Sequence, residues 1–96
     1  MSEKKQILIS EICIHYSIDE AFIIELNQHD LIVVEEVESN LFVYEEDIVE
    51  LERFIRLKNE LNINSEGIDI IINLLGRIEK LQDELQSTKE RLSLYE

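Results

Sequence analysis

The side chains best suited to chemistry in this sequence are one cysteine and two histidines. Cys13 precedes His15 by two positions, and His29 follows fourteen residues later. A structural zinc site needs four such ligands, commonly as two closely spaced pairs, and no second pair follows here. We therefore interpret Cys13 as a buried side chain and the histidines as surface residues. A single cysteine has no internal disulfide partner, which fits a reducing compartment.

Carboxylates are abundant, but their spacing does not build a reaction site. The adjacent pair Glu35-Glu36 lies on an expected strand, where neighbouring side chains point to opposite faces. Asp19-Glu20 and Glu45-Glu46-Asp47 lack the alternating oxygen ligands and central glycine of a calcium-binding loop. The chain has only two glycines, so it contains no glycine-rich phosphate loop. We expect no enzymatic activity, no cofactor and no metal ion.

The negative charge of the protein is concentrated in one part of the chain, which we call the acidic stretch (residues 6–52). It holds thirteen Asp and Glu residues and no Lys or Arg, whereas the other residues balance nine acids with nine bases. The net charge of -13 therefore belongs to the acidic stretch. Such a surface repels a phosphate backbone and attracts cations, so we expect a basic protein partner and no nucleic acid.

The length and hydropathy of the chain indicate one small soluble domain. Its 96 residues are 45% hydrophobic and 32% charged, an ordinary globular mixture. No apolar run is longer than the four residues 31–34, which is far too short to cross a bilayer, and residues 1–10 show no secretory signal. We expect a cytoplasmic protein without membrane contact, whose first six residues form a frayed polar leader.

The segment 7–14 has two interpretations. The near-strict alternation of its isoleucines favours a β-strand. Alternatively, Ser10 caps a short helix that ends near Ser17 and places Ile12 and Tyr16 on one face. In the second interpretation this helix is the first of a helix-turn-helix pair.

A second helix is expected to begin after Asp19, which is suited to cap it. Its apolar residues Phe22, Ile23 and Leu26 recur at helical spacing. Residues 31–36 and 41–44 then flank a polar triplet ending at Asn40, a residue that tolerates positive φ. This pattern predicts a small two-stranded wing.

Two further helices are predicted beyond the wing. Residues 45–47 open the first of them, and acids near its start with bases near its end match the helix dipole. Residues 62–64 interrupt the pattern, after which Asn64 or Ser65 can cap the final helix. We divide the chain into residues 1–64, the acidic winged domain with its connecting helix, and residues 65–96, the final helix.

The final helix carries a heptad repeat of apolar residues. The first and fourth heptad positions that we assign to dimerisation are Ile71, Leu74, Ile78, Leu81, Leu85 and Leu92. The repeat weakens at Thr88, and its flanking positions carry both signs of charge. A domain of this size has little spare surface to cover so long a stripe, so we expect a homodimer. The alternative is that the helix folds back on its own domain.

The order of these elements resembles the MerR-type winged helix. Residues 9–12 (Ile-Ser-Glu-Ile) look like that family's opening Ile-Gly-Glu-Leu, and Ile18-Asp19 looks like the Val-Ser before its second helix. Leu31-Ile32 looks like its paired leucines, and residues 41–48 look like its wing strand running into Tyr-Ser-Glu-Glu-Asp-Leu. The resemblance implies a mostly α fold: a MerR-like winged helix-turn-helix with a small two-stranded wing and a long C-terminal coiled-coil-like helix.

The sequence departs from that family where its members bind DNA. MerR-type proteins that bind DNA carry basic residues in the second helix and an arginine in the wing. The matching positions here are Ala21, Ile24 and Phe42. Each lost charge removes a phosphate contact, and DNA affinity is built largely from such contacts. The chain is similar in this respect to the chaperone-modulator (CbpM) family, and it shares Leu-Lys-Asn-Glu-Leu at residues 57–61 and Gly67-Ile68 with that family.

The second resemblance implies an inhibitor that binds the J-domain of a DnaJ-like (CbpA-type) co-chaperone and blocks its engagement with Hsp70. A J-domain presents a basic helix to Hsp70, for which an acidic module can compete. The residues that we expect to contact it lie on the second helix and the wing: Glu20, Ile24, Glu25, Glu35, Glu36 and Phe42. Two alternatives stay open, a MerR-like DNA-binding transcriptional regulator and a dimeric adaptor for another basic protein. A third interpretation makes the acids a solvated face and the apolar residues of this region core residues, namely Phe22, Ile23, Leu26 and Phe42.

Overall fold

A computed structural model of the protein describes residues 5–95. The elements, in chain order, are β1 (Gln6–Leu8), α1 (Ile9–Tyr16), α2 (Glu20–Gln28), β2 (Glu35–Val37), β3 (Asn40–Tyr44), α3 (Ile48–Leu61) and α4 (Ser65–Ser93). Four helices and a small antiparallel sheet confirm the predicted mostly α fold. No helix within residues 5–95 has the length and apolar character needed to span a bilayer.

Both interpretations of segment 7–14 are partly right, because a strand runs directly into a helix there. β1 ends at Leu8, and α1 begins at Ile9 rather than after Ser10. Ile9 and Ile12 are buried on the inner face of α1, so the helical interpretation is the correct one from Ile9 onward. Ser17 ends the helix in the left-handed region (φ 55°), and α2 follows at the predicted place.

The sheet has three strands rather than the two that the wing pattern predicts. β3 lies in the middle, with β1 and β2 antiparallel on either side. Gln6, assigned above to a frayed leader, pairs with Tyr44, while residues 1–4 of that leader lie outside the described residues. The alternation of residues 7–14 indicates a strand, but local sequence signals do not give its pairing with β3, which is more than thirty residues away along the chain.

The wing turn lies within the predicted triplet 38–40 but uses only its first two residues. Glu38 and Ser39 have φ of 50° and 67°, whereas Asn40 is already the first residue of β3. A two-residue hairpin loop with both φ values positive matches the right-handed twist of the strands, which explains why the turn sits there. Only residues 35 and 36 of the predicted strand 31–36 join the sheet, and the strand continues one residue further to Val37.

The caps of the last two helices follow the sequence closely. Residues 45–47 form a 3-10 turn that leads into α3, and Asn62 ends α3 with φ 55°. The Asn64 side chain accepts a hydrogen bond of 2.9 Å from the Gly67 amide, which confirms it as the cap of α4.

The core is shared by the helix-turn-helix, the sheet, α3 and the first turns of α4. Its buried apolar side chains are Ile9, Ile12, Ile18, Phe22, Ile23, Leu26, Ile32, Val43, Leu51, Phe54, Ile55 and Ile68. Beyond Ile72 every described residue of α4 is exposed, so the helix projects away from the core. The division at residue 64 stays a prediction.

Candidate functional site

The α2 part of the predicted contact surface faces outward. Glu20, Ile24 and Glu25 are exposed, while Phe22 and Ile23 on the opposite side of the helix are buried. Ile24 is only 37% exposed, so it offers a small apolar area. The α2 surface is therefore acidic with little apolar surface of its own.

Glu25 is also a structural residue. Its carboxylate accepts a hydrogen bond of 2.8 Å from the hydroxyl of Ser65, the first residue of α4. Beside it, a concavity of about 190 Å³ is lined by Asp19, Ala21, Phe22, Glu25, Lys58, Asn64 and Ser65. The Lys58 ammonium lies 5.4 Å from the centre of the Phe22 ring. A cation of α3 therefore lines the same concavity as the carboxylates of Asp19 and Glu25.

The wing part of the predicted surface is divided between the two faces of the sheet. Glu35 and Phe42 are directly opposite each other in the β2–β3 register, so they share a face, whereas Glu36 alternates to the other face. The Gln6 amide donates a hydrogen bond to Glu35. A hydrogen bond to Glu35 is also the main cause that raises the pKa of Tyr44, ahead of burial. Phe42 is half-buried, so it is neither a fully buried core residue nor a fully exposed contact residue.

A groove between α1 and the start of α3 was not predicted from the sequence. Its volume is about 210 Å³, and its lining residues are Ile7, Glu11, Ile12, His15, Tyr16 and Ile48. The Tyr16 hydroxyl donates a hydrogen bond of 2.9 Å to Glu52 of α3, which joins the two helices at this groove. The rings of His15 and Tyr16 meet edge to face with their centres 4.6 Å apart.

Two strongly exposed aliphatic residues lie on the same helices. Ile14 of α1 is 81% exposed and Val49 of α3 is 70% exposed. Their exposure is readable from the sequence in retrospect, because the apolar faces of α1 and α3 are set by the i, i+3, i+4 pattern and these residues fall outside it. Neither residue lines the α1–α3 groove, but Ile14 lies one helical turn after Glu11 and Val49 directly follows Ile48, which both line it.

The residues predicted for dimerisation form an exposed stripe along α4. Leu74, Ile78, Leu81, Leu85 and Leu92 are all exposed, with Leu81 at 62%. Ile71 is half-buried and, with Leu57, Leu61 and Leu75, lines a concavity of about 280 Å³ between α3 and α4 that Arg53, Arg56 and Glu60 border. The described part of the chain buries none of the five exposed stripe residues.

The potential metal ligands stay apart. Within residues 5–95 no three His, Cys, Asp or Glu side chains gather in a way that could hold an ion. Cys13 is partly buried, and burial, followed by the nearby carboxylates of Glu20 and Asp19, raises the pKa of its thiol. His29 lies against α4, with its Nδ1 atom 2.9 Å from the Asp69 carboxylate.

Comparison with known proteins gives one family and a set of named relatives. The family model described as MerR HTH family regulatory protein matches residues 7–90. Relatives named chaperone modulatory protein CbpM occur in Escherichia coli O1:K1 / APEC and Shigella boydii serotype 18. Each is 26% identical to this chain over 88 residues, which cover 91% of this chain and 87% of the relative. No solved structure matches the chain significantly.

Proposed function

The chain belongs to the MerR HTH regulatory family, and we propose that within this family it acts as a chaperone modulator. It binds the J-domain of a DnaJ-like co-chaperone and hinders the engagement of that J-domain with Hsp70. The observation that carries this proposal is the acidic stretch, which has no Lys or Arg over the whole helix-turn-helix and wing. Relatives over nine-tenths of the chain are named as chaperone modulators.

Charge complementarity explains why this scaffold suits such a partner. A J-domain presents a basic helix to Hsp70, and an acidic surface raises the rate at which a basic protein arrives in the correct orientation. The same surface repels duplex DNA, because each carboxylate brought near a phosphate costs on the order of 1 kcal/mol in partly screened surroundings. The proposal therefore predicts protein binding that weakens as salt rises.

We assign the contact to α2 and the wing. The residues are those predicted from the sequence, Glu20, Ile24, Glu25, Glu35, Glu36 and Phe42. Among them Glu20, Ile24 and Glu36 are exposed and take part in none of the hydrogen bonds described above. Glu25 accepts a hydrogen bond from Ser65, and Glu35 accepts hydrogen bonds from Gln6 and Tyr44. These bonds hold each carboxylate in place and leave further lone pairs for a partner.

The α4 stripe supports a second part of the proposal, a homodimer. Five of its six residues expose aliphatic side chains along one heptad seam. A stripe of this size on a soluble chain normally marks an interface. Its flanking charges of both signs, among them Arg77, Glu84 and Lys89, suit a second helix of the same sequence.

Calorimetric titration with an isolated J-domain from the same cell, at two salt concentrations, tests the proposed function. We expect saturable binding at low salt and a weaker affinity at high salt, because screening reduces the attraction between exposed charges. A J-domain whose basic helix has been changed to neutral residues serves as the control. Absence of binding at low salt would refute the proposal.

A DNA-binding regulator is the competing function, and the description of the matched family as regulatory proteins favours it. It predicts salt-sensitive retardation of duplex DNA in a gel-shift assay. No retardation at low salt removes it. A pull-down that recovers other basic proteins but no J-domain protein would instead favour a dimeric adaptor.

A further inference from the structure

We propose that the α1–α3 groove is the apolar anchor point for a cationic amphipathic helix of the partner. This inference rests on the proposed function and names a contact outside the α2 and wing residues assigned above. One aliphatic side chain of the partner helix fills the groove, and cationic side chains on either side of it meet the carboxylates at the groove. The α2 and wing surface then serves for electrostatic attraction.

The size and lining of the groove fit an aliphatic side chain. Ile12 is buried at its base, and Ile7 and Ile48 are half-buried on its walls. Its volume of about 210 Å³ is several times the roughly 30 Å³ that one water molecule occupies in the liquid. Water in such a site finds few polar partners, so replacing it with an apolar group is favourable.

Two exposed aliphatic residues are helical neighbours of residues that line the groove. Ile14 lies one helical turn after Glu11 on α1, and Val49 directly follows Ile48 on α3. Their exposed fractions of 81% and 70% are among the highest of the aliphatic residues in the folded domain. The combination of a groove with exposed β-branched neighbours is typical of an interaction site.

The charges around the groove select a cationic occupant. Glu11 lines it, and Glu52 stands at its edge, held by the Tyr16 hydroxyl. That hydrogen bond uses one of several acceptor positions of the carboxylate, so a lysine or arginine can still bind there. The nearest cation along α3, Arg53, forms an ion pair of 2.7 Å with Glu50.

The concavity beside α2 is a poorer anchor. Lys58 already lines it, and Glu25 is bonded to Ser65. Ile24 is exposed by only 37%. An amphipathic helix needs an apolar contact as well as charge complementarity, and the α1–α3 groove supplies both.

Two arginine substitutions at the groove test this inference by calorimetric titration with the J-domain. Val49→Arg and Ile14→Arg each place a cation and a larger side chain next to a residue that lines the groove, Ile48 or Glu11, and both positions are exposed enough to leave the fold intact. Val33→Arg is the matched control, because Val33 is also an exposed β-branched residue within the acidic stretch. Circular dichroism melting of all three variants verifies folding.

We expect each groove variant to weaken J-domain binding at least tenfold and Val33→Arg to weaken it less than threefold. If the unmodified protein binds the J-domain and both groove variants keep an affinity within twofold of it, this inference alone is overturned. An equal loss of affinity in all three variants would also overturn it, because the added positive charge would then explain the effect whatever its position. Failure of the unmodified protein to bind the J-domain would overturn the proposed function and the docking inference together.

Discussion

The Ser65 hydroxyl and the Glu25 carboxylate are joined by a hydrogen bond of 2.8 Å between α4 and α2. Ser65 is the one buried polar residue among the described residues, with 1% of its surface exposed. The first turn of the long helix is thereby fixed to the helix that carries the predicted contact surface. Glu25 consequently has a structural role besides any role in binding.

Replacing Ser65 with Ala should destabilise the protein by about 1.5 kcal/mol, because it removes a hydrogen bond to a charged group. The value is at the lower end of the range for such bonds, since the exposed Glu25 carboxylate regains water. Urea unfolding followed by circular dichroism measures the difference. Ser93→Ala is the control, since Ser93 bonds a backbone carbonyl at the exposed end of α4. Equal effects of the two substitutions would contradict the structural role of Ser65.

Replacing Glu20 with Lys should weaken J-domain binding about fivefold, equivalent to on the order of 1 kcal/mol at a partly screened surface. Glu25→Lys should weaken binding similarly and also lower the free energy of unfolding, because it removes the acceptor for Ser65. Titration calorimetry and urea unfolding separate the two effects. Asp83→Lys is the control, because it makes an equal charge change on the outer side of α4, and it should leave J-domain affinity within twofold. A loss as large as that of Glu20→Lys would show that net charge, and not the position of Glu20, weakens binding.

A charge in the middle of the α4 stripe should abolish the dimer. Leu81→Asp places a carboxylate where we expect the apolar seam, and burying an unpaired charge there costs several kcal/mol. Light scattering at micromolar concentration should show twice the 11.4 kDa chain mass for the unmodified protein and the single mass for the variant. Gln86→Asp lies off the seam and should stay dimeric. An unmodified protein of monomer mass would refute the heptad interpretation.

Residues that favour positive φ in the wing turn should raise the free energy of unfolding. Glu38 and Ser39 occupy the left-handed region with φ of 50° and 67°, where ordinary residues carry an energetic penalty. The double change Glu38→Asn and Ser39→Gly should stabilise the protein by about 1 kcal/mol, because Asn-Gly is the preferred pair for such a turn. Thermal and urea unfolding measure the gain. Glu36→Asn, within β2, should give none, and a gain there would remove the turn explanation.

The thiol of Cys13 should react more slowly in the folded protein than in the unfolded one. Burial is the first cause that raises its pKa, followed by Glu20 and Asp19, so less thiolate is present at a given pH. The same shift makes a stability contribution that is fully present below the ordinary thiol pKa and is lost as pH rises through the raised value. Alkylation rates against pH, with and without urea, measure this. Glu20→Gln should raise the folded rate, and identical pH profiles in both states would contradict the burial of the thiol.

Local signals in the sequence were sufficient for α2, α3 and α4, but not for the start of α1, which lies at Ile9 rather than after Ser10. The caps at Asn62 and Asn64, the apolar face of α2 and the start of α4 depend on residues within one or two turns, so they can be read directly. The acidic character of the whole domain is likewise a property of composition. For these features the energetic preference is local, and the tertiary structure does not alter it.

Tertiary structure alone decided the features that join distant parts of the chain. Pairing of Gln6 with Tyr44 adds a third strand, Ser65 reaches Glu25, and Tyr16 reaches Glu52 at the groove. Each contact joins residues more than thirty positions apart, and its formation depends on how the helices and strands pack together. Sequence periodicity reports only which side of an element is apolar, whereas the position of a groove between two elements follows from their packing.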